Sequence, residues 1–299
     1  MPLLSVIIPT HKRAEILALC LGHLERQTIA DQIEVIVVSD GRDDKTAALF
    51  ANSAWRIPVQ FFEIEKSQQG SARNEGLKHA QGEYVLFIGD DIFLEPEACK
   101  KHLEAHAKRV ASSDKRLENF SLPATRYPLV AVLGYTTWDL AVGITPVMRW
   151  LETSGWQFGY CTLNRNRATG SGPFIPTSVQ HRYTYTSHIS VPLSIAKKHP
   201  FRTDVHLYGW EDIEWGMRLR NAGVRLCYEP DAKALHHHRM SYEDSLLRME
   251  TLGRSAVEIA KKVPEFDRSP KGLKLFLYRC AALLPTMAGR HRKAFLKGL

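Results

Sequence analysis

At 299 residues, 44% hydrophobic and 24% charged, the chain is long enough for one large domain or a domain with an appendage, and its make-up is that of an ordinary globular protein. Collagen-like, coiled-coil and disulfide-minidomain classes are excluded, and five scattered cysteines with no C-x-x-C pair argue for a reducing compartment rather than a disulfide framework or a zinc knuckle. The net charge of +8 invites a nucleic-acid partner until it is located: Arg268 to Leu299 holds eight Lys or Arg and no Asp or Glu, so the rest of the chain is formally neutral.

The first hundred residues alternate short β-branched runs with helical patterns, the signature of βαβ units around a mostly parallel sheet. Ser5 to Ile8 is apolar enough to be buried on both faces. Nothing basic precedes it and no small-residue cleavage site follows, so it reads as a strand and not a signal peptide. Glu15 to Arg26 repeats apolar residues at helical spacing; Ile33 to Val38 is a second strand, Thr46 to Asn52 a short helix, Val59 to Ile64 a third strand, Ala72 to Ala80 a helix and Tyr84 to Ile88 a fourth strand. Three of these strands run into polar residues, at Thr10-His11-Lys12-Arg13, Ser39-Asp40-Gly41 and Gly89-Asp90-Asp91. In open α/β sheets ligands bind beyond the carboxyl ends of strands, so the three ends predict one crevice.

From about Ala111 to Ile189 the periodicity is poor and Gly, Pro, Thr and aromatic residues abound, which predicts loops and short strands. Glu211 to Asn221 is a helix closed by Ala222-Gly223, Val224 to Tyr228 a strand ending at Glu229-Pro230, and Ser241-x-x-Asp244 opens another helix. The basic C-terminal segment carries Leu273, Leu275, Phe276, Leu277, Leu283, Leu284, Phe295 and Leu296, and its apolar stretches, interrupted by Lys274, Arg279 and Pro285, fall short of the roughly 20 residues that span a bilayer. Two readings stand side by side: a segment lying on a membrane surface, or a cationic helix docked on the body with its charges solvated.

Three local features can carry chemistry. Asp90-Asp91 puts two carboxylates at the end of a buried strand, where mutual repulsion and desolvation call for a compensating cation; a divalent metal would serve, and so would a turn or helix cap without one. Glu211-Asp212 follows Tyr208-Gly209-Trp210 at a helix start, where acidic residues complement the helix dipole, and where a carboxylate can also take a proton from an alcohol beside a sugar-stacking Trp210. His236-His237-His238 is either a polar loop or a source of imidazole ligands.

Taken in order, Ser5-Val6-Ile7-Ile8-Pro9-Thr10 with Arg13, Val37-Val38-Ser39-Asp40-Gly41, Gly70-Ser71-Ala72-Arg73-Asn74-Glu75-Gly76 and the strand into Gly89-Asp90-Asp91 resemble the nucleotide-sugar half of family 2 glycosyltransferases. Tyr208-Gly209-Trp210-Glu211-Asp212 with Arg218-Leu219, and then His236, resemble their acceptor half, and the likeness extends over residues 3 to 250. The resemblance implies an α/β fold of GT-A type, a Rossmann-like mostly parallel sheet flanked by helices. Residues 1–240 would form the glycosyltransferase domain, 1–110 the donor half and 111–240 the acceptor half, with 241–299 a basic helical extension.

By the same resemblance, Pro9, Thr10 and Arg13 surround the base and ribose of a nucleotide sugar, in this family most often a UDP-sugar. Asp40 contacts the base, Arg73 and Asn74 sit beside it, and Asp90 faces the ribose or donor sugar. Asp91 and His236, with His238 as a substitute, hold Mn2+ or Mg2+. Asp212 is the base that activates an acceptor hydroxyl for inversion, and Glu211 orients the acceptor. Trp210, Trp156 and Arg149 are expected to contact that acceptor, a glycan or lipid-linked molecule in polysaccharide biosynthesis. The expected location is cytoplasmic, or peripheral at the inner membrane face through the tail, with no nucleic-acid partner. Gly89 departs from the family pattern, which has a carboxylate there, and His188 stands where the family often has Asn, a change that bears on donor choice. Two other readings remain, a nucleotide-sugar-binding module without turnover and a sugar-phosphate nucleotidyltransferase; the latter lacks its usual Gly-rich, Arg-containing loop after the first strand.

Overall fold

The computed structural model describes residues 1–117, 129–170, 172–205 and 208–299. Strands β1 (Leu4–Thr10), β2 (Ile33–Asp40), β3 (Val59–Ile64) and β4 (Tyr84–Ile88) pair in parallel in the order β3-β2-β1-β4, with α1 (Ala14–Glu25), α2 (Asp44–Asn52) and α3 (Gln69–His79) as their crossovers. Every residue of β1 and β2 is buried, because helices cover both faces. Ile7 and Phe87 enter one core with α3, and Val6 and Ile8 enter the other with Leu17 and Leu21 of α1.

Beyond β4 the sheet becomes mixed. Following β5 (Ile92–Leu94) and α4 (Ala98–Leu117) come β6 (Val130–Trp138), α5 (Pro146–Ser154), α6 (Tyr160–Ala168), β7 (His188–Pro192), α7 (Leu193–Lys198), α8 (Glu211–Asn221) and β8 (Arg225–His236). The eight strands lie in the order β3-β2-β1-β4-β7-β6-β8-β5. Strand β7 runs antiparallel to both β4 and β6, so β6 points the same way as β4, and β8 is parallel to β6. The carboxyl ends of β1, β2, β4, β6 and β8 therefore share one edge of the sheet, and the three polar strand ends meet there with Trp138 and His236.

Two expectations need correcting here. The stretch 111–189, read as loops and short strands, holds a nine-residue strand and helices α5 and α6; its residues 118–128 lie outside the described residues. Nor does the strand after Val224 end at Pro230. Register with β6 skips from Glu229 to Lys233 in a bulge that absorbs the proline, and β8 continues to His236.

Helices α9 (Tyr242–Lys262), α10 (Gly272–Ala282) and α11 (Met287–Gly298) complete the chain, and the capping box of Ser241 and Asp244 starts α9 as read. Met249, Leu252 and Ile259 of α9 and Phe295 of α11 pack against Ile213 and Met217 of α8. On its other side α8 is fixed by Trp215, fully buried, which stacks on Phe201 at 4.7 Å, meets Phe87 edge-on at 5.7 Å and donates its indole N–H to the His199 carbonyl at 2.7 Å. Burying a side chain of this size contributes about 2–3 kcal/mol, so α8 has a defined position between the sheet and the C-terminal helices.

Candidate active site

Strand register brings the two ends of the motif set together. Ile92 of β5 pairs antiparallel with His236 of β8, and the His237 amide donates to the Asp91 carbonyl at 2.8 Å. Asp91 Oδ2 then lies 3.5 Å from His236 Nε2 and 3.6 Å from His238 Nδ1, and the three ligating atoms all fall within 4.8 Å of one another. Trp138 stacks on the His236 ring at 4.9 Å, which fixes the imidazole plane, while His237 turns away to Asp139 at 2.6 Å. One carboxylate and two imidazoles fit a divalent cation, and imidazole donors suit Mn2+ better than Mg2+. Gly89 has a local reason: a Cβ there would meet Asp91 Oδ1 at 2.9 Å, so a larger residue would crowd the carboxylate.

Arg13 joins the cluster from the start of α1, its Nη1 donating to Asp90 at 2.8 Å and to Asp91 at 3.0 Å. Thr10 donates its hydroxyl to the other oxygen of Asp90 at 2.8 Å. Burial and the neighbouring Asp91 push Asp90 up to about 6. Burial also acts upward on Asp91, but His236, His238 and Arg13 overcome it and hold this carboxyl well below the usual range. Pro9 lies in β1 beside them.

Asp40, at the end of β2, is saturated by its own neighbourhood. Its carboxylate accepts from Lys66 Nζ at 2.5 Å and from the backbone amides of Ser67 and Gln68 at 2.7 and 3.0 Å, tying the turn before α3 to the sheet. Arg73 is buried on α3, 3.7 Å from Glu211, and burial lowers its pKa. Asn74 pairs through its amide with the backbone N–H and carbonyl of Phe201, both at 2.8 Å.

The second carboxylate pair sits at the N-terminus of α8. Gly209 and Trp210 both have positive φ, at 99° and 71°, which reverses the chain within two residues. The cost of a left-handed Trp is about 1 kcal/mol, offset where its indole N–H donates to the Leu252 carbonyl at 2.8 Å and its ring meets Phe266 edge-on. Glu211 points to α3, accepting from Gln69 and facing Arg73. Asp212 is partly buried, and desolvation reinforced by Glu211 raises it to about 7, against the Ile213 amide, Arg73 and Arg248, which act the other way.

A cleft of about 220 Å³ adjoins His236, walled by Tyr135, Trp138, Phe158 and Tyr160, with Glu152 and Gln157 at its polar side. Phe158 lies 6.1 Å from His236 and 5.0 Å from Tyr185, whose hydroxyl is pushed up mainly by burial, with Tyr183 and Asp212 adding to it. Of the residues expected at an acceptor, Trp156 is taken up by Trp150, His291 and Arg292, and Trp210 by α9 and Phe266, while Arg149 is exposed on α5 and does not line the cleft. His188, read as bearing on donor choice, is the first residue of β7 and fully buried, its ring bonded to Thr136 and set against His102. Reading the sequence missed Arg248, which reaches from α9 to Gln157 and influences Asp212; an arginine within an amphipathic helix gives no signal of such a role.

Residues 5–135 match the model of glycosyl transferase family 2. The glycosyltransferase EpsH of Bacillus subtilis, a putative one by its name, is 32% identical over 104 residues, 34% of this chain and 30% of EpsH, so the match spans under a third of that relative's length. Among solved structures, Staphylococcus aureus TarS 1–349 in complex with UDP superposes with a TM-score of 0.56 at 19% identity, over 87% of this chain and 66% of that one. The mannosyltransferase PcManGT of Pyrobaculum calidifontis, in complex with GDP-Man and Mn2+, gives 0.55 at 17% identity over 99% and 74%. At these identities the structural likeness concerns the fold, which is of GT-A type. The family's model is matched across the strands that end in Asp40 and Asp91, so residues 5–135 of this chain are similar to the family 2 glycosyltransferases.

Proposed function

We infer that the protein transfers a sugar from a nucleoside diphosphate sugar, a UDP-sugar by preference, to a hydroxyl of a glycan or lipid-linked acceptor, with inversion at the anomeric carbon. It would act on the cytoplasmic side, in the assembly of a cell-surface polysaccharide. The observation that carries this reading is the convergence of Asp91, His236 and His238 at the edge of the sheet where Asp90 and Arg13 also meet. A divalent cation held by Asp91 Oδ2, His236 Nε2 and His238 Nδ1 would supply charge stabilisation to the departing diphosphate.

The chain's own groups do the rest. Arg13 and Thr10 hold Asp90 in place toward the ribose or donor sugar. The acceptor occupies the cleft walled by Trp138 and Phe158, where aromatic faces suit sugar rings. As the acceptor oxygen bonds to the anomeric carbon and the bond to diphosphate breaks, Asp212 takes the hydroxyl proton; a pKa near 7 suits a base at neutral pH. Glu211, held by Gln69 and Arg73, positions α8 against α3 and adds the negative charge that raises Asp212. Asp40 acts on the base site through the 66–68 turn that it anchors.

A panel of nucleotide sugars tested for binding and slow hydrolysis with and without Mn2+ tests the reading. One UDP-sugar is expected to bind in a metal-dependent way and release UDP. Binding without metal dependence or turnover would make the protein a sugar-nucleotide-binding module, and release of pyrophosphate would make it a nucleotidyltransferase; either result overturns the proposal.

A further inference from the structure

The C-terminal helices divide their apolar residues between two faces. On α10, Tyr278 and Ala282 turn inward, and Tyr278 meets Phe295 of α11 edge-on at 5.8 Å and the Arg292 guanidinium at 5.5 Å. The outward face is apolar as well. Leu273, Phe276 and Leu277 are 72%, 61% and 57% exposed, and Leu283 and Leu284 continue the row past the helix end at 85% and 55%. With about 3.6 residues per turn, these positions and exposed Cys280 fall within about one third of the helix circumference. Lys274 and Arg279 flank that arc on its two sides, both exposed, and no acidic residue occurs from Arg268 to the end of the chain.

Exposed leucines on a soluble protein are ordinarily scattered singly, and a contiguous row marks a docking face. A second copy of this chain is poorly suited to it, because facing copies would set Lys274 and Arg279 against the same two cations with no acidic side chain on α10 itself; Lys274 Nζ donates to the Asp267 carbonyl at 3.1 Å at the helix start. A bilayer with anionic headgroups answers both chemistries: hydrocarbon for the arc, and negative charge for the basic flanks, whose long stems let the charged ends reach the headgroups. No described helix is long and apolar enough to cross a membrane, so α10 would lie in the interfacial plane.

We propose that α10 together with Leu283 and Leu284 is a membrane-surface helix that docks this protein on anionic lipid bilayers. This goes beyond the sugar-transfer reading and stands without it. Because α8, α9 and α11 share one core around Met217, Leu252 and Phe295, docking through α10 would hold the helix that bears Asp212 at a set position relative to the lipid surface.

The test is co-flotation of the full chain with vesicles of phosphatidylcholine alone and of phosphatidylcholine mixed with phosphatidylglycerol. Binding is expected to the anionic vesicles only and to weaken as salt is raised. The L273S/F276S/L277S variant is expected to lose it, and K274E/R279E to weaken it by about tenfold or more. All five side chains are exposed, so both variants should keep the wild-type melting profile and the wild-type nucleotide-sugar binding in vesicle-free solution. Failure of the wild-type chain to float with anionic vesicles would overturn the proposal, as would equal binding to neutral vesicles that the triple variant retains. A wild-type dimer that L273S/F276S/L277S converts to monomer, without vesicle binding, would assign the face to a second copy instead.

Discussion

Replacing Asp212 by Asn separates what this carboxyl does for the reaction from what it costs the fold. Burial and Glu211 raise Asp212 from the ordinary 3.8 to about 7, so the native protein keeps a proton there that the unfolded chain has already released. At about 1.4 kcal/mol per pK unit the full penalty would be about 4 kcal/mol, and solvent at the partly exposed carboxyl reduces it to about 1–2 kcal/mol. The sign follows from proton binding: between pH 3.8 and about 7 the native state holds more protons, so this group lowers stability as pH rises through that window and adds no further change above it. Asp212→Asn should therefore be more stable than wild type by about 1–2 kcal/mol at pH 8 in urea denaturation, with the advantage vanishing toward pH 4. In the transfer assay the same variant should lose about 10²- to 10⁴-fold in kcat while nucleotide-sugar binding holds, and wild-type activity should rise from acid toward a plateau above about pH 7. A variant that transferred sugar at the wild-type rate and gained no stability at alkaline pH would refute both halves of the reasoning.

Asp91→Asn removes the carboxylate on which both imidazoles converge, and Mn2+ affinity measured by calorimetry should fall at least about tenfold, with donor hydrolysis lost in proportion. His102 and His106 bond Ser190 at 2.8 Å each, His188 lies against His102, and burial lowers all three, His106 and His188 to about 3. Held neutral in the native state, they stabilise the fold above pH 6.5 and that stability is lost as pH falls toward 3; urea melts should show a loss on the order of 1–2 kcal/mol per histidine between pH 6.5 and 5, and a shallower slope for His106→Gln. Gly209→Ala combines a φ of 99° with a Cβ 2.3 Å from Leu252 Cδ2, so thermal unfolding should show about 1–3 kcal/mol of destabilisation, and transfer should fall further than stability because α8 is displaced.

How far the sequence could be read depended on how local the cause was. Strands β3 and β4 coincide with their predicted spans, residue for residue: β4 is buried and apolar almost throughout, while β3, at the sheet edge, is only half-buried and keeps Gln60 and Glu63 between its β-branched and aromatic residues. Strand β6 escaped because its middle residue is Gly134, which looks like a turn; a Cβ there would lie 2.3 Å from the His188 ring, a requirement set by a residue 54 positions away. Pro230 hid the second half of β8 in the same way, since a bulge against β6 takes up the residue that would break an ordinary ladder. The candidate site shows the same division. Asp91 and His236 each allow a bland local reading, a turn and a polar loop, and what joins them is the antiparallel register of Ile92 on His236, a consequence of sheet order that only the whole motif set could suggest. Where a side chain's partners are tertiary, its residue type names the chemistry it is capable of and not the partner it finds. Asp40 could serve a nucleobase edge or a turn equally well, and its carboxylate holds Lys66 and the amides of Ser67 and Gln68, so any nucleotide contact must be shared with, or taken from, those three donors.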